Sequence, residues 1–275
     1  MTEHRYRPGD YLMHEGEPAT HLYFVLRGSV EIRKHGRVLR QLSDRSVVGG
    51  ISVLAEDPEG YDVIALSNTI ALSLSADDGW DTFEDHFQLV HGVITRICGE
   101  MLTMRQELPG FGFKETTWEY GPPPPPPMDL VGRMAALRQA IPFAGSHVEA
   151  LADLARDVQE LRYDEAQPLW AAGDPSDHFL FIRHGTVCGV TEKGAIRLGP
   201  GDTVGSLGSL SRKPRWFDAK TEGPFVALKV DREAWSDLLE DHFHVAKRMV
   251  TAVSKGMLEL MERIAESKDK DEAAA

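Results

Sequence analysis

The sequence predicts an α+β chain of two small antiparallel β-rolls or barrels, each followed by a long C-terminal helix. Three observations carry that expectation. Gly16-Glu-Pro-Ala-Thr-His-Leu-Tyr-Phe-Val-Leu-Arg-Gly28-Ser-Val returns as Gly173-Asp-Pro-Ser-Asp-His-Phe-Leu-Phe-Ile-Arg-His-Gly185-Thr-Val, displaced by 157 residues, and a fixed period this long marks two copies of one domain. Short apolar segments punctuated by glycine fill the first part of each copy, the spacing of brief strands and turns. After them the apolar period lengthens to 3.5 residues, as in a helix that packs along a seam against another helix.

In the first copy strands are expected at Tyr11–Met13, Leu22–Leu26, Val30–Ile32 and Val38–Leu39. The second copy repeats them at Pro168–Trp170, Phe179–Ile182, Thr186–Val190 and Ile196–Leu198. The seam runs through Phe83, Phe87, Val90, Ile94, Ile97, Met101, Met104 and Leu108, alternately four and three residues apart. Leu239, Phe243, Ala246, Val250, Val253, Met257, Leu260 and Ile264 repeat it at an offset of 156. Such a helix either covers its own roll or pairs with a second helix, and the strict alternation favours pairing, within the chain or across a dimer. The interface residues expected are Phe83, Phe87, Val90, Ile94, Ile97 and Met101, with Phe243, Val250, Val253, Met257 and Leu260 opposite.

Between the copies, Pro122 to Pro127 read as a stiff spacer of roughly 19 Å, at about 3.1 Å per residue. Gly121 and Met128-Asp129 give that run little character as a ligand for an aromatic-lined groove. A helical stretch from Asp129 to Arg162 is expected before the second copy, with no counterpart before the first. The tail Lys268 to Ala275, charged and then small, is expected to be disordered.

At 275 residues the chain holds two domains that each bury a core of their own. The two cysteines, Cys98 and Cys188, fall at non-equivalent places and read as buried reduced thiols. The polar start holds no signal peptide and no apolar run approaches a membrane span, so a cytoplasmic location is expected. The formal net charge of −13 argues against nucleic acid as a partner.

Glycine, an acid, a gap, a Leu-Tyr-Phe-Val-type strand, then Gly and Ser/Thr-Val resembles the cyclic-nucleotide-binding domain. This is the module of catabolite-activator-type regulators and of the regulatory subunits of cAMP-dependent protein kinase. The resemblance covers residues 5–108 and about 130–265. It implies jelly-roll folding of the double-stranded β-helix type, in a domain of residues 1–120, a linker of 121–128 and a second domain of 129–275. It also implies a phosphate-binding cassette that begins Gly-Glu-Leu and ends in Arg followed by two small residues. A guanidinium and backbone N–H groups hold the cyclic phosphate, and the glutamate accepts the ribose 2′-hydroxyl.

The second copy carries that cassette as Gly205-Ser-Leu-Gly-Ser-Leu-Ser-Arg-Lys-Pro214-Arg215-Trp-Phe. The ligand candidates are Gly205, Ser206, Leu207, Arg215, Trp216 and Phe217. Arg215 stands at the phosphate position, Ser206 replaces the ribose glutamate, and Trp216 and Phe217 replace the small residues; they stack on a base or fill the pocket. In the first copy Gly50 takes the glutamate position and Glu59 the arginine position, among Glu56, Asp57 and Asp62. Carboxylates there repel an anion, so that cassette is expected to be degenerate.

No catalytic site, metal site or cofactor is expected. The pairs His86-Phe87 and His242-Phe243, after Glu84-Asp85 and Glu240-Asp241, read as helix-start polar residues. Neither a helix-turn-helix after the second seam nor a paired-arginine inhibitor segment before the first copy is seen, so neither output device of the resembled families is expected. The expected function is that of a non-catalytic regulatory or adaptor protein working through a protein partner; the alternative is a cyclic-nucleotide sensor that binds ligand through Arg215.

Overall fold

A computed structural model describes residues 1–108, 126–139, 147–191 and 194–274, with side chains to 267. Pro122–Pro125 of the expected spacer lie outside the described residues.

The first roll runs β1 (Thr2–Tyr6), β2 (Tyr11–Met13), β3 (His21–Arg27), β4 (Val30–Lys34), β5 (Arg37–Leu42), β6 (Ser46–Val48), α1 (Gly50–Leu54), β7 (Asp62–Ala65) and β8 (Thr69–Ser75). These form two antiparallel four-stranded sheets, ordered β1-β8-β3-β6 and β2-β7-β4-β5. Alternation sends Val25, Val48 and Ala71 inward, where with Leu12, Val30 and Val63 they form the core. Helices α2 (Ala76–Asp85) and α3 (Phe87–Arg105) follow.

Before the second roll stand α4 (Leu130–Leu137) and α5 (Val148–Asp157). The roll itself comprises β9 (Gln159–Tyr163), β10 (Pro168–Trp170), β11 (His178–His184), β12 (Val187–Thr191), β13 (Gly194–Leu198), β14 (Thr203–Val204), α6 (Ser206–Ser211), β15 (Asp218–Thr221) and β16 (Phe225–Asp231). Its sheets, β14-β11-β16-β9 and β10-β15-β12-β13, repeat the order of the first roll. Leu180, Ile182, Val187, Ile196, Phe225 and Phe217 share its core. The repeated glycine has a steric cause: Gly185 turns at φ +79°, and a Cβ there would stand 2.2 Å from the Pro224 carbonyl oxygen. Helices α7 (Arg232–Asp241) and α8 (Phe243–Ala274) close the chain. The α+β class and the two rolls with their following helices are therefore as expected.

Three local expectations fail. Gln159–Tyr163 is strand β9, not the end of a helix; it pairs with β16 from Phe225↔Tyr163 to Lys229↔Gln159. It is the counterpart of β1, and sheet pairing overrides the helical spacing of Val158 and Leu161. Each expected seam helix is two helices, broken at His86 and His242, which take φ −135° and −128°. These histidines end α2 and α7 and, as expected, also start the next helix: the His86 carbonyl accepts from Leu89 N–H at 2.9 Å and that of His242 from Val245 N–H at 2.8 Å. The tail continues as helix to Ala274, because Lys, Glu and Ala propagate an existing helix without a nucleation cost.

Two compact units emerge: Met1–Val90 with Val250–Ala275, and His91–Met249. The first roll is thus completed by most of α8, from Val250 onward, and the second roll by most of α3. The seam side chains Val90, Ile94, Ile97, Met101, Val250, Val253, Met257 and Leu260 are buried. No described helix is long and apolar enough to cross a membrane, and Cys98 and Cys188 are both buried free thiols.

Candidate functional site

The second cassette lies between β14 and β15. Gly205 caps α6 at φ +85°, and a Cβ on it would lie 2.3 Å from Nη1 of Arg215. Only glycine allows the guanidinium to lie against this turn. The backbone of Arg215 is clamped to the repeated glycine turn: its N–H donates to the Asp174 carbonyl at 2.8 Å, and its carbonyl accepts from Gly173 N–H at 2.8 Å.

The side chain of Arg215 is buried, with 3% of its surface exposed. Nη2 donates to the His178 carbonyl at 2.7 Å and Nη1 more weakly to the Gly205 carbonyl at 3.5 Å. The guanidinium lies 4.0 Å from the ring centroid of Trp170, in the geometry of a cation–π contact. Burial pushes its pKa down to about 10, opposed by the charges of Asp177 and Asp174. Asp177 accepts from His178 Nδ1 at 2.6 Å, and that bond holds its carboxyl below the usual range. Burial lowers the pKa of His178.

Of the other expected ligand residues, Phe217 points into the roll and is 3% exposed, with its ring 5.9 Å from Trp170 in an edge contact. Trp216 packs edge-on against Phe217 at 4.7 Å. Gly205 supports Arg215, and Ser206, whose Oγ lies 3.3 Å from Thr203 Oγ1, starts α6 with Leu207. Four buried polar atoms of this region have no hydrogen-bond partner: Arg215 Nε, Trp170 Nε1, Ser176 Oγ and Ser209 Oγ. The sequence reading missed Trp170 and Ser176, which come from β10 and the glycine turn outside the cassette. Helix α3 also borders the cassette: Lys213 Nζ donates to the Gly99 carbonyl at 3.3 Å, and Arg212 Nη2 lies 3.1 Å from His91 Nε2.

In the first cassette Glu59 turns outward, its side chain 67% exposed and 3.7 Å from Lys34 Nζ. Asp62 is spent on the Glu15 N–H at 2.9 Å. Tyr61, the counterpart of Phe217, is 2% exposed and packs with Ala55 against Leu258 of α8. Its hydroxyl donates to Glu262 at 3.0 Å, and Lys34 donates to the same carboxylate at 2.6 Å. Burial opposes the charge on Lys34, yet Glu262, Asp57 and Glu59 outweigh it and raise its pKa. Here the arginine position is acidic, and the half-buried Lys34 already serves a protein carboxylate.

Among the described residues no group of three or more His, Cys, Asp or Glu side chains is placed to hold a metal ion. The family model described as cyclic nucleotide-binding domain matches residues 3–86 and 160–242. The chain is 23% identical over 249 residues to the cGMP-dependent protein kinase egl-4 of Caenorhabditis elegans, covering 88% of this chain and 27% of the kinase. It is 33% identical over 66 residues to the cGMP-dependent protein kinase of Plasmodium berghei (strain Anka), covering 24% of this chain and 8% of that one. The chain thus spans about a quarter or less of the curated relatives it matches. Among solved structures, it resembles the regulatory subunit of a cAMP-independent protein kinase A from Trypanosoma brucei, with 18% identity and a TM-score of 0.37 over 90% of this chain and 79% of that one. The regulatory domain of Toxoplasma gondii PKA, co-crystallised with cAMP, gives 16% identity and a TM-score of 0.36 over 88% of this chain and 83% of that one.

Proposed function

The chain belongs to the cyclic nucleotide-binding domain family, and from that premise we propose that it is a non-catalytic regulatory adaptor acting through protein–protein contacts. One observation carries the reading: the groups that would meet a nucleotide are already engaged by the protein. In the second cassette the guanidinium of Arg215 rests on backbone carbonyls and Trp170 while Phe217 fills the roll. In the first, Tyr61 and Lys34 hold Glu262 of α8. Within the same proposal, the seam residues serve as helix-packing surfaces, within the chain or across a dimer. Family membership alone does not assign ligand binding.

A second reading, a sensor that takes a cyclic nucleotide in the second domain, is favoured by the unpartnered Arg215 Nε, Ser176 Oγ and Ser209 Oγ. A buried cation without a carboxylate in contact is a costly arrangement that an anion would relieve. Calorimetry and thermal denaturation of the whole chain with cAMP and cGMP separate the two. The adaptor reading expects no heat of binding and an unchanged Tm. The sensor reading expects stabilisation of about 4 kcal/mol at a thousand times Kd, abolished by Arg215→Ala, with one nucleotide per chain.

A further inference from the structure

The outer faces of the two equivalent sheets differ in cover. In the second roll, Phe181, Val226 and Leu228 point away from the core and are 3%, 1% and 0% exposed. There α7 lies over one end, with Trp235 edge-on to Phe179 at 5.5 Å. Helix α5 packs against α7, and Gln139, just after α4, accepts from Arg183 of β11 at 2.8 Å. In the first roll the matching residues are Phe24, Ile70 and Leu72, all only half-buried. Leu26, the counterpart of Arg183, and Val47, paired across from Phe24, are each 48% exposed. Helix α2 covers one end only, where Gly79 approaches Leu22 and Leu74.

We propose that the outer face of the β1-β8-β3-β6 sheet receives a basic amphipathic helix from a partner protein, laid beside α2 where α5 lies beside α7 in the second roll. A contiguous apolar sheet face flanked by polar residues is the kind of surface that a helix stripe covers. Charge selects the occupant. Helix α2 carries Asp77, Asp78, Asp81, Glu84 and Asp85 and no basic residue. Helix α5 of a second copy, with Glu149, Asp153 and Asp157 against one arginine, would set like charges side by side, so a second copy is a poor occupant and a Lys/Arg-edged helix a good one. This deepens the adaptor reading and rests on it for the existence of a partner; the nucleotide titrations test that reading independently.

The test uses the full chain and two fluorescein-labelled helical peptides with one Leu stripe, one edged with Lys and the other with Glu, in fluorescence anisotropy at physiological salt. The Lys peptide is expected to bind at least tenfold more tightly than the Glu peptide. Leu26→Glu with Val47→Glu should weaken it at least tenfold; both positions are exposed, so an unchanged Tm verifies the fold. Val190→Glu, an equally exposed site on the second roll, should leave binding unchanged. Equal binding to the face variant, or equal binding of the Glu peptide, would overturn the proposal. So would a dimer in sedimentation that the face variant dissolves, since the occupant would then be a second copy.

Discussion

Replacing Phe217 with alanine removes the ring that closes the second cassette from inside the roll. A buried Phe→Ala change costs about 3–5 kcal/mol, a large part of the roughly 5–15 kcal/mol that holds a domain folded. The edge contacts with Trp170 and Trp216 are lost with it. A partner mutation makes the argument specific. A Cβ on Gly189 would lie 2.7 Å from Phe217 Cδ2 and 2.6 Å from Ile196 Cγ1, so Gly189→Ala alone overpacks the core, by about 1–3 kcal/mol. With the ring gone, half of that conflict disappears. The alanine at 189 should then cost at least about 1 kcal/mol less, within the usual range of coupling between touching residues. Urea denaturation followed by tryptophan fluorescence measures all four corners of the cycle. A loss below about 1 kcal/mol for Phe217→Ala, or additive single mutants, would mean that the ring does not fill the roll, and the closed-cassette argument would fall with it.

Glu262→Ala should destabilise the chain by about 1–3 kcal/mol, because it strands Lys34 and the Tyr61 hydroxyl, toward the lower end since Glu262 is itself partly exposed; chemical denaturation reads it, and Tyr61→Phe should recover no stability in the wild-type background. Burial first, and then His147, His242 and Arg248, lower the pKa of His244 below its ordinary 6.5. The unfolded chain therefore takes up the proton first, and stability present above pH 6.5 is lost as pH falls toward the depressed value; Tm should drop between pH 7.5 and 5, less steeply in His244→Gln. His91 and His178 are lowered as well, so part of the slope should survive that variant. Ile94→Lys and Val250→Lys each place an unpaired charge at a buried seam position, and each should lower stability by about 3 kcal/mol or more; a loss under 1 kcal/mol at either site would remove that residue from the proposed helix pairing.

The repeat made most of the fold legible, because a motif that recurs at one offset reports a whole domain and not a single turn. What the local pattern hid were the strands whose apolar period is interrupted. β1 reads Thr-Glu-His-Arg-Tyr, nearly all polar, and it is a strand because β8 pairs with it along its whole length. β9 carried a false helical stripe for the same reason: its partner, not its own spacing, decides its state. The helix breaks at His86 and His242 were likewise invisible to a four-three count, since the count continues across a kink without a missed position.

Arg215 shows where positional reading of a site stops. The cassette register aligns this arginine with the phosphate position of the resembled family, yet its surroundings turn on three groups that no cassette motif contains. Trp170 offers the guanidinium a ring, the His178 carbonyl takes Nη2, and the Gly173–Asp174 turn fixes its backbone. Each comes from the roll about 37 to 45 residues upstream, so only the folded chain brings them together. An arginine held this way has little rotamer freedom left to lose and its strongest donor already engaged. A phosphate arriving there would find only Nε without a partner on this guanidinium and would compete with protein oxygens for the rest. The same side chain thus supports the fold without ligand, and in the first domain Lys34 does the equivalent work on Glu262. In both rolls a cation, buried in Arg215 and half-buried in Lys34, is matched by protein oxygen, and that shared solution is the strongest physical reason for the proposal that the output of this chain lies in its surfaces.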